Sequence, residues 1–189
     1  VFLAGAVHYS LGQLEQAATL LGRYVAAVPG NVRARKLLGA TLVRSNNSVG
    51  AIDVLKPLVD NDRADAQVFA LLGGAYMRTG KYSEGSELFE RAVKAAPDVS
   101  AIRTQLALSR LVQGSSDQAV GDLEAAIDLD PEARQASILL ALVHLRKSQF
   151  DKALEAAEWL HKKMPDNPMA QNLMGAAYLG KENPAKARE

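Results

Sequence analysis

Three histidines, one glycine-flanked basic stretch and two groups of acidic residues are the side chains whose types and spacing suggest chemistry in this sequence. A metal centre needs several ligands converging on one point. His8 and His144 stand 136 residues apart, and no cysteine is available to join them. His161 is set among Lys162 and Lys163 and reads as a surface residue. The stretch GAYMRTGKY at 74–82 resembles a phosphate-cradling loop, but five residues rather than four separate Gly74 from Gly80, and Tyr82 replaces the hydroxyl that would hold the metal ion. Glu84, Glu87 and Glu90, and Asp122, Glu124, Asp128 and Asp130, fall where exposed helix faces are expected, and read as solvated carboxylates rather than an acid/base pair. No catalytic residue, cofactor or metal site is therefore expected.

Composition narrows the remaining functions. The net charge is +1, with +3 over residues 1–94 and −2 over residues 95–189. Nucleic-acid binding needs a strongly basic face, which this balance does not supply. The absence of cysteine rules out disulfides and thiolate chemistry and leaves the compartment open. No apolar run approaches the ~18 residues of a spanning helix, so no membrane contact by this segment is expected.

The elements that position these residues follow from a period of 34. Small residues recur at that step in two ladders: Gly5, Gly39, Gly73, Ala107, Ala141, Gly175, and Ala17, Ala51, Gly85, Ala119, Ala153, Ala187. Pro29, Pro97, Pro131 and Pro165 form a third ladder, broken where Arg63 replaces proline. Within 66–99, Phe69, Leu72, Gly73 and Tyr76 recur as one face of a helix, Gly80 ends it, and Gly85, Phe89 and Ala92 mark a second helix closed by Pro97. Small residues facing each other let the two helices approach closely. His8 and His144 then occupy the same repeat slot as Tyr76 and Tyr178, a half-buried packing position.

With Ala66 as repeat position 1, this pattern resembles the tetratricopeptide repeat, with Phe69 in place of Trp and Gly85 in place of Ala. The resemblance implies an all-α, right-handed solenoid of helix-turn-helix repeats forming one domain over 1–189: a partial repeat at 1–31, full repeats at 32–65, 66–99, 100–133 and 134–167, and a partial repeat at 168–189. The chain reads as an excerpt of a longer solenoid, with apolar end faces suited to end-to-end self-association. Pro57, inside a second helix, is expected to remove a hydrogen bond, kink that helix and mark an irregular repeat.

In this family the first helices line a concave groove. Carried onto this chain, groove positions 9, 12 and 13 are Ala40, Val43 and Arg44; Gly74, Met77 and Arg78; Leu108 and Leu111; and Leu142, Leu145 and Arg146. The strip is apolar and suits an amphipathic or largely apolar protein segment, with the arginines on its rim either orienting an acidic stretch or serving as solvated helix ends. The clamp with which co-chaperone members grip a terminal carboxylate is matched only by Lys36, so a chaperone-tail receptor is excluded. Trp159 points either outward, as a contact anchor on the convex side, or inward by a local rotation.

Strings such as GNVRARKLLGATLVRS, ALLGGAYMRTGKYSEGSELFERA and HLRKSQFDKALEAAEWLHKKMPDNPMAQNLMGAAYLGKENPAKAR are similar to the tetratricopeptide lipoproteins of the bacterial PEP-CTERM/exosortase system (PrsT-like). That likeness implies a non-enzymatic protein-binding scaffold, periplasmic and outer-membrane-anchored in its parent, linked to exopolysaccharide export and protein sorting. Two alternatives stay open: a cytoplasmic assembly or regulatory adaptor, and an accessory subunit of a glycosyltransferase or polysaccharide export complex.

Overall fold

The computed structural model describes residues 1–60, 64–183 and 185–188, all in helices, turns and short connections. Arg63, the break in the proline ladder, lies outside the described residues. By packing, the chain divides into two units, Val1–Pro97 and Asp98–Glu189.

The first unit holds α1 (Phe2–Ser10), α2 (Leu14–Ala27), α3 (Val32–Arg44), α4 (Ser48–Asp60), α5 (Ala66–Arg78) and α6 (Tyr82–Ala95). The second holds α7 (Ser100–Val112), α8 (Ser116–Leu129), α9 (Arg134–Arg146), α10 (Phe150–Lys163), α11 (Pro168–Gly180) and a 3₁₀ turn at Lys186–Arg188. Each odd-numbered helix from α1 to α9 packs on the even-numbered helix that follows it. Successive first helices also touch, α1 on α3 and α3 on α5 in one unit, α7 on α9 and α9 on α11 in the other. Among the described residues no such contact joins α2 to α4 or α8 to α10. Within each unit, then, first helices crowd together on one side and second helices spread on the other.

The small-residue ladders mark where paired helices come closest. A Cβ added at Gly73 would lie 3.1 Å from the carbonyl oxygen of Gly85, and one added at Gly85 would lie 3.0 Å from that of Gly73. The backbones themselves are therefore in contact, and a larger side chain at either position would overpack the pair. In the second unit the same places are taken by Ala107 with Ala119 and Ala141 with Ala153, all fully buried. Repeat position 24 supplies the core between the pairs: Leu21, Leu55, Phe89, Leu123 and Ala157 are all buried.

Proline does not interrupt α4, which continues through Pro57 to Asp60. Near the proline, Arg35 of α3 reaches α4, giving Nη1 to the carbonyl of Val54 at 3.2 Å, and gives Nε to the carbonyl of Pro29 at 2.6 Å.

One turn recurs in every repeat. Repeat position 15 is left-handed throughout, at Gly12, Gly80 and Gly114 (φ 74, 79 and 81°) and also at Asn46, Ser148 and Glu182 (φ 62, 57 and 56°). After each, the next N–H reaches back five residues: Gln13 to His8, Asn47 to Leu42, Lys81 to Tyr76, Ser115 to Arg110, Gln149 to His144 and Asn183 to Tyr178, at 2.8–2.9 Å. This is the 6→1 bond of a Schellman cap, which satisfies a carbonyl otherwise orphaned at the helix end. An L-residue held there pays roughly 1–2 kcal/mol that glycine does not. Ser148→Gly should therefore stabilise the protein by about 0.5–1 kcal/mol after glycine's greater unfolded-state entropy is subtracted. Thermal melts of the two proteins check this, and an unchanged or lower midpoint would contradict the strain assigned to that turn.

Candidate functional site

The odd helices present the surfaces that the repeat pattern points to. In the first unit Ala40 is 7% exposed and is taken up by the core, while Val43, Gly74 and Met77 are half-buried. Met77 leans on α6: a Cβ at Gly85 would meet its Cγ and Sδ at 2.9 Å. Gly74 has nothing within 4 Å of where its Cβ would stand, so that face of α5 is open. In the second unit Leu108, Leu111 and Leu145 are half-buried. Leu111 and Leu145 pack against the buried clusters around Leu140 and Leu160. Leu142 stands out at 45% exposed, and on the adjacent α11 the equivalent face carries exposed Ala176 and Leu179, the latter at 60%. Among the groove positions of the second unit, the open apolar surface therefore lies on α9 and α11.

The arginines at position 13 are exposed but already engaged. Arg78 donates to the carbonyl of Val43 at 2.7 Å, and Arg44 to that of Tyr9 at 3.4 Å, with its guanidinium 4.7 Å from the centre of the Tyr9 ring. Both acceptors lie in the last turn of the preceding first helix, where cations are favoured by the orphan carbonyls. Arg146 instead gives Nη2 to the hydroxyl of Ser116 at 2.6 Å. These side chains stitch one repeat to the one before it, each with further N–H groups to spare. Lysines at position 14 do the same: Lys147 pairs with Asp117, and Lys181 with Asp151, 34 residues on. The bond from Lys147 lowers the pKa of Asp117, and the bond that Lys181 gives to Asp151 raises the pKa of Lys181. Lys36 is committed to Asp65 at 2.5 Å.

The histidines occupy their repeat slot with a partner that the sequence reading lacked. His144 is 3% exposed and bonds through Nδ1 to Oε1 of Gln149 at 2.8 Å, and His8 makes the same pair with Gln13 at 2.5 Å. Tyr76 fills the slot in the third repeat, with the Lys81 ammonium 5.5 Å from its ring centre. His161 differs from the surface residue expected of it: it is half-buried, and its Nδ1 is enclosed without a hydrogen-bond partner among the described residues. Among the described residues no three His, Asp or Glu side chains gather closely enough to hold a metal ion. None of the described helices is long and apolar enough to cross a membrane.

One acidic residue was misread. Asp122 is 8% exposed, not solvated, and its carboxylate takes a bond from Nη1 of Arg110 at 2.6 Å. These two residues stand at positions 11 and 23, where the third repeat has Tyr76 and Leu88, so an ion pair replaces an apolar contact. The signal was the arginine in a slot otherwise held by rings and Leu42.

Trp159 takes an intermediate place. It is half-buried and packs against the cluster of Leu160, Ala170 and Leu173. It also forms one wall of a cavity of about 310 Å³ bounded by α8, α9 and α10. Lys163, held by Glu132 at 2.5 Å, stands 5.8 Å from its ring centre.

Tetratricopeptide-repeat family models match residues 8–73, 66–99, 104–158 and 141–189. The chain belongs to the tetratricopeptide-repeat family. Protein FlbA of Caulobacter vibrioides is 29% identical over 167 residues, 81% of this chain and 28% of FlbA. BBSome complex member BBS4 of Bos taurus is 24% identical over 96% of this chain and 37% of that protein. The chain thus spans well under half the length of these relatives. Two crystal structures share the fold: MamA, with a TM-score of 0.74 at 24% identity over 80% of this chain and 88% of that one, and YrrB, with 0.75 at 19% identity over 90% and 88%. Tetratricopeptide repeats are interaction scaffolds, and repeated helix pairs of this fold bind proteins or peptides.

Two predictions follow from the ion pairs. Asp122→Ala should cost about 3 kcal/mol, because it removes the carboxylate that faces a half-buried guanidinium. Arg110→Tyr with Asp122→Leu, which copies the third repeat, should recover most of that loss. Denaturant titration checks both, and equal losses in the single and double variants would contradict the pairing. At Asp65, burial pulls the carboxyl up, but the Lys36 ammonium and the Val68 N–H outweigh it and hold the pKa below its ordinary value. A depressed folded-state pKa contributes stability above the unfolded value of about 3.9 that is lost as pH falls through the folded value. Asp65→Asn keeps an oxygen to cap α5, so it should melt below the parent at neutral pH, with the gap closing below about pH 4. A gap independent of pH would show that the charge contributes nothing.

Proposed function

We propose that this chain is a non-enzymatic scaffold that holds an apolar or amphipathic protein segment against its first helices. The observation that carries this reading is the exposed apolar row of Leu142, Ala176 and Leu179 on the adjacent helices α9 and α11. Apolar residues clustered on adjacent exposed helix faces are the kind of surface at which partners bind. An amphipathic helix would lay its apolar stripe on these leucines, and spare N–H groups of Arg146 would meet acidic residues flanking that stripe. In the first unit, the open face at Gly74 on α5, with Arg44 and Arg78 on its rim, offers a surface of the same kind. YrrB, described as a tetratricopeptide protein with an unusual peptide-binding site, supports a peptide as the class of partner.

The resemblance of several strings to the PEP-CTERM/exosortase lipoproteins is what favours a parent in a bacterial envelope, working beside exopolysaccharide export and protein sorting. A secretion signal followed by a lipidation cysteine in the full-length protein would support that placement, and a cytoplasmic full-length protein would overturn it.

Leu108→Asp and Leu142→Asp place a charge where the apolar segment must lie. In the full-length protein each should weaken partner capture at least about tenfold, a loss of about 1.4 kcal/mol. Leu108 is half-buried, so helical content by circular dichroism must stay near that of the parent for its loss to count. Capture that survives both variants and disappears in Trp159→Ala would move the partner to the other side of the helices.

A further inference from the structure

The cavity beside Trp159 lies on the face of α9 opposite Leu142. At 100° per residue, its floor residues Ser137, Leu140 and His144 fall together, and Leu142 falls across the helix from them. It is thus separate from the surface discussed above. Its origin is legible in the repeats. At position 4 the third repeat has Phe69, here Ser137; at position 23 it has Leu88, here Ala156; and at position 26 it has Arg91, here Trp159. In the third repeat the Arg91 guanidinium lies 4.3 Å from the centre of the Phe69 ring, so that place is filled by a cation on an aromatic face. In the fifth repeat the aromatic comes from the second helix instead, the first-helix side chain is cut back to serine, and about 310 Å³ is left open.

The lining specifies what would enter. Ile127, Leu140, Ala156 and Trp159 make apolar walls. Glu124 and Glu155 stand exposed at the mouth, and neither has an ion-pair or hydrogen-bond partner among the described residues. The position equivalent to Glu124 in the first unit is Lys56, while those of Lys152 and Glu155 are Glu84 and Glu87, so the charges around the mouth are rearranged and its net charge is kept. His144 is 3% exposed; with Nδ1 donating to Gln149, its Nε2 is left as a lone-pair acceptor without a partner among the described residues. The hydroxyl of Ser137 donates to the carbonyl of Ala133 at 3.3 Å and keeps only acceptor capacity for the cavity. Lys152 is the one cation of the lining, and it is exposed. Acceptors on an apolar, aromatic-walled cavity of this size, at the lower end of the ~300–1,000 Å³ usual for small ligands, suit a ligand that only donates.

We propose that the cavity between α8, α9 and α10 is a binding site for a small organic cation, a primary ammonium on a short apolar stem. The stem would lie between Trp159, Leu140 and Ile127, with the ammonium among His144 and the two glutamates.

Trp159 is the only tryptophan of the chain, so its fluorescence reports this site alone. Titration with n-hexylamine at neutral pH should give a saturable change, while hexanoate and 1-hexanol at the same concentrations should give none. Glu124→Gln with Glu155→Gln should weaken the amine response about fivefold or more. Ser137→Phe, which restores the third repeat's filling, should abolish it. If that variant fails to fold, the two surface substitutions still decide the matter. A response that is linear without saturation, equal for hexanoate, or unchanged by the glutamine pair would overturn the proposal. Binding of a lysine-containing peptide without binding of hexylamine would overturn it too, by assigning the cavity to a protein partner.

Discussion

The left-handed residue at repeat position 15, with the 6→1 hydrogen bond that closes over it, is the constraint on which the rest of each repeat depends. It ends the first helix, reverses the chain in a few residues and launches the second helix at a fixed angle. Only with that angle fixed do the two small-residue ladders meet, as Gly73 meets Gly85 with carbonyl oxygens about 3 Å from where a Cβ would stand. The same bond brings positions 11 and 16 together, so their side chains form a pair: His8 with Gln13, Tyr76 with Lys81, His144 with Gln149. A slot that looked like a scattered metal ligand is therefore a product of the turn.

Stacking adds a second layer of contacts that the backbone does not dictate. Arg44 and Arg78 donate to carbonyls in the last turn of the preceding first helix, carbonyls that also receive the N–H of the left-handed residue. Lys147 and Lys181 reach the start of the preceding second helix. Exposed ion pairs of this kind contribute little singly. Their regular step suggests that they set the register between neighbours more than they add stability. The faces left over, apolar on α9 and α11 and acidic-rimmed beside Trp159, are where the repeats differ most and where binding chemistry can be placed without disturbing the turn.

Much of this was legible in the residues. A step of 34 with small residues in two phases requires paired helices, and glycine at 12, 80 and 114 announces a left-handed turn. Asn46, Ser148 and Glu182 adopt the same conformation without announcing it, because their strain is offset by the tertiary packing on either side. Asp122 was misread for a related reason: on an amphipathic helix a carboxylate reads as exposed, and only its position facing Arg110 shows otherwise. Pro57 lies inside α4, which continues to Asp60, although the local rule has proline kink or end a helix. For the candidate site the repeat pattern named positions on the first helices but could not give the exposure of each residue. Ala40 is core, and Leu142 is open, although both hold position 9.

The central functional claim is that partners meet the first helices. A photoreactive amino acid placed at Leu142, at Ala176 or at Gly121 of the full-length protein, in the cells that make it, tests this most directly. Ala176 is exposed on α11 and Gly121 faces open space on α8, so neither substitution should disturb packing. The account predicts that one partner is crosslinked from positions 142 and 176 and not from 121. Crosslinking of that partner from 121 alone would contradict it.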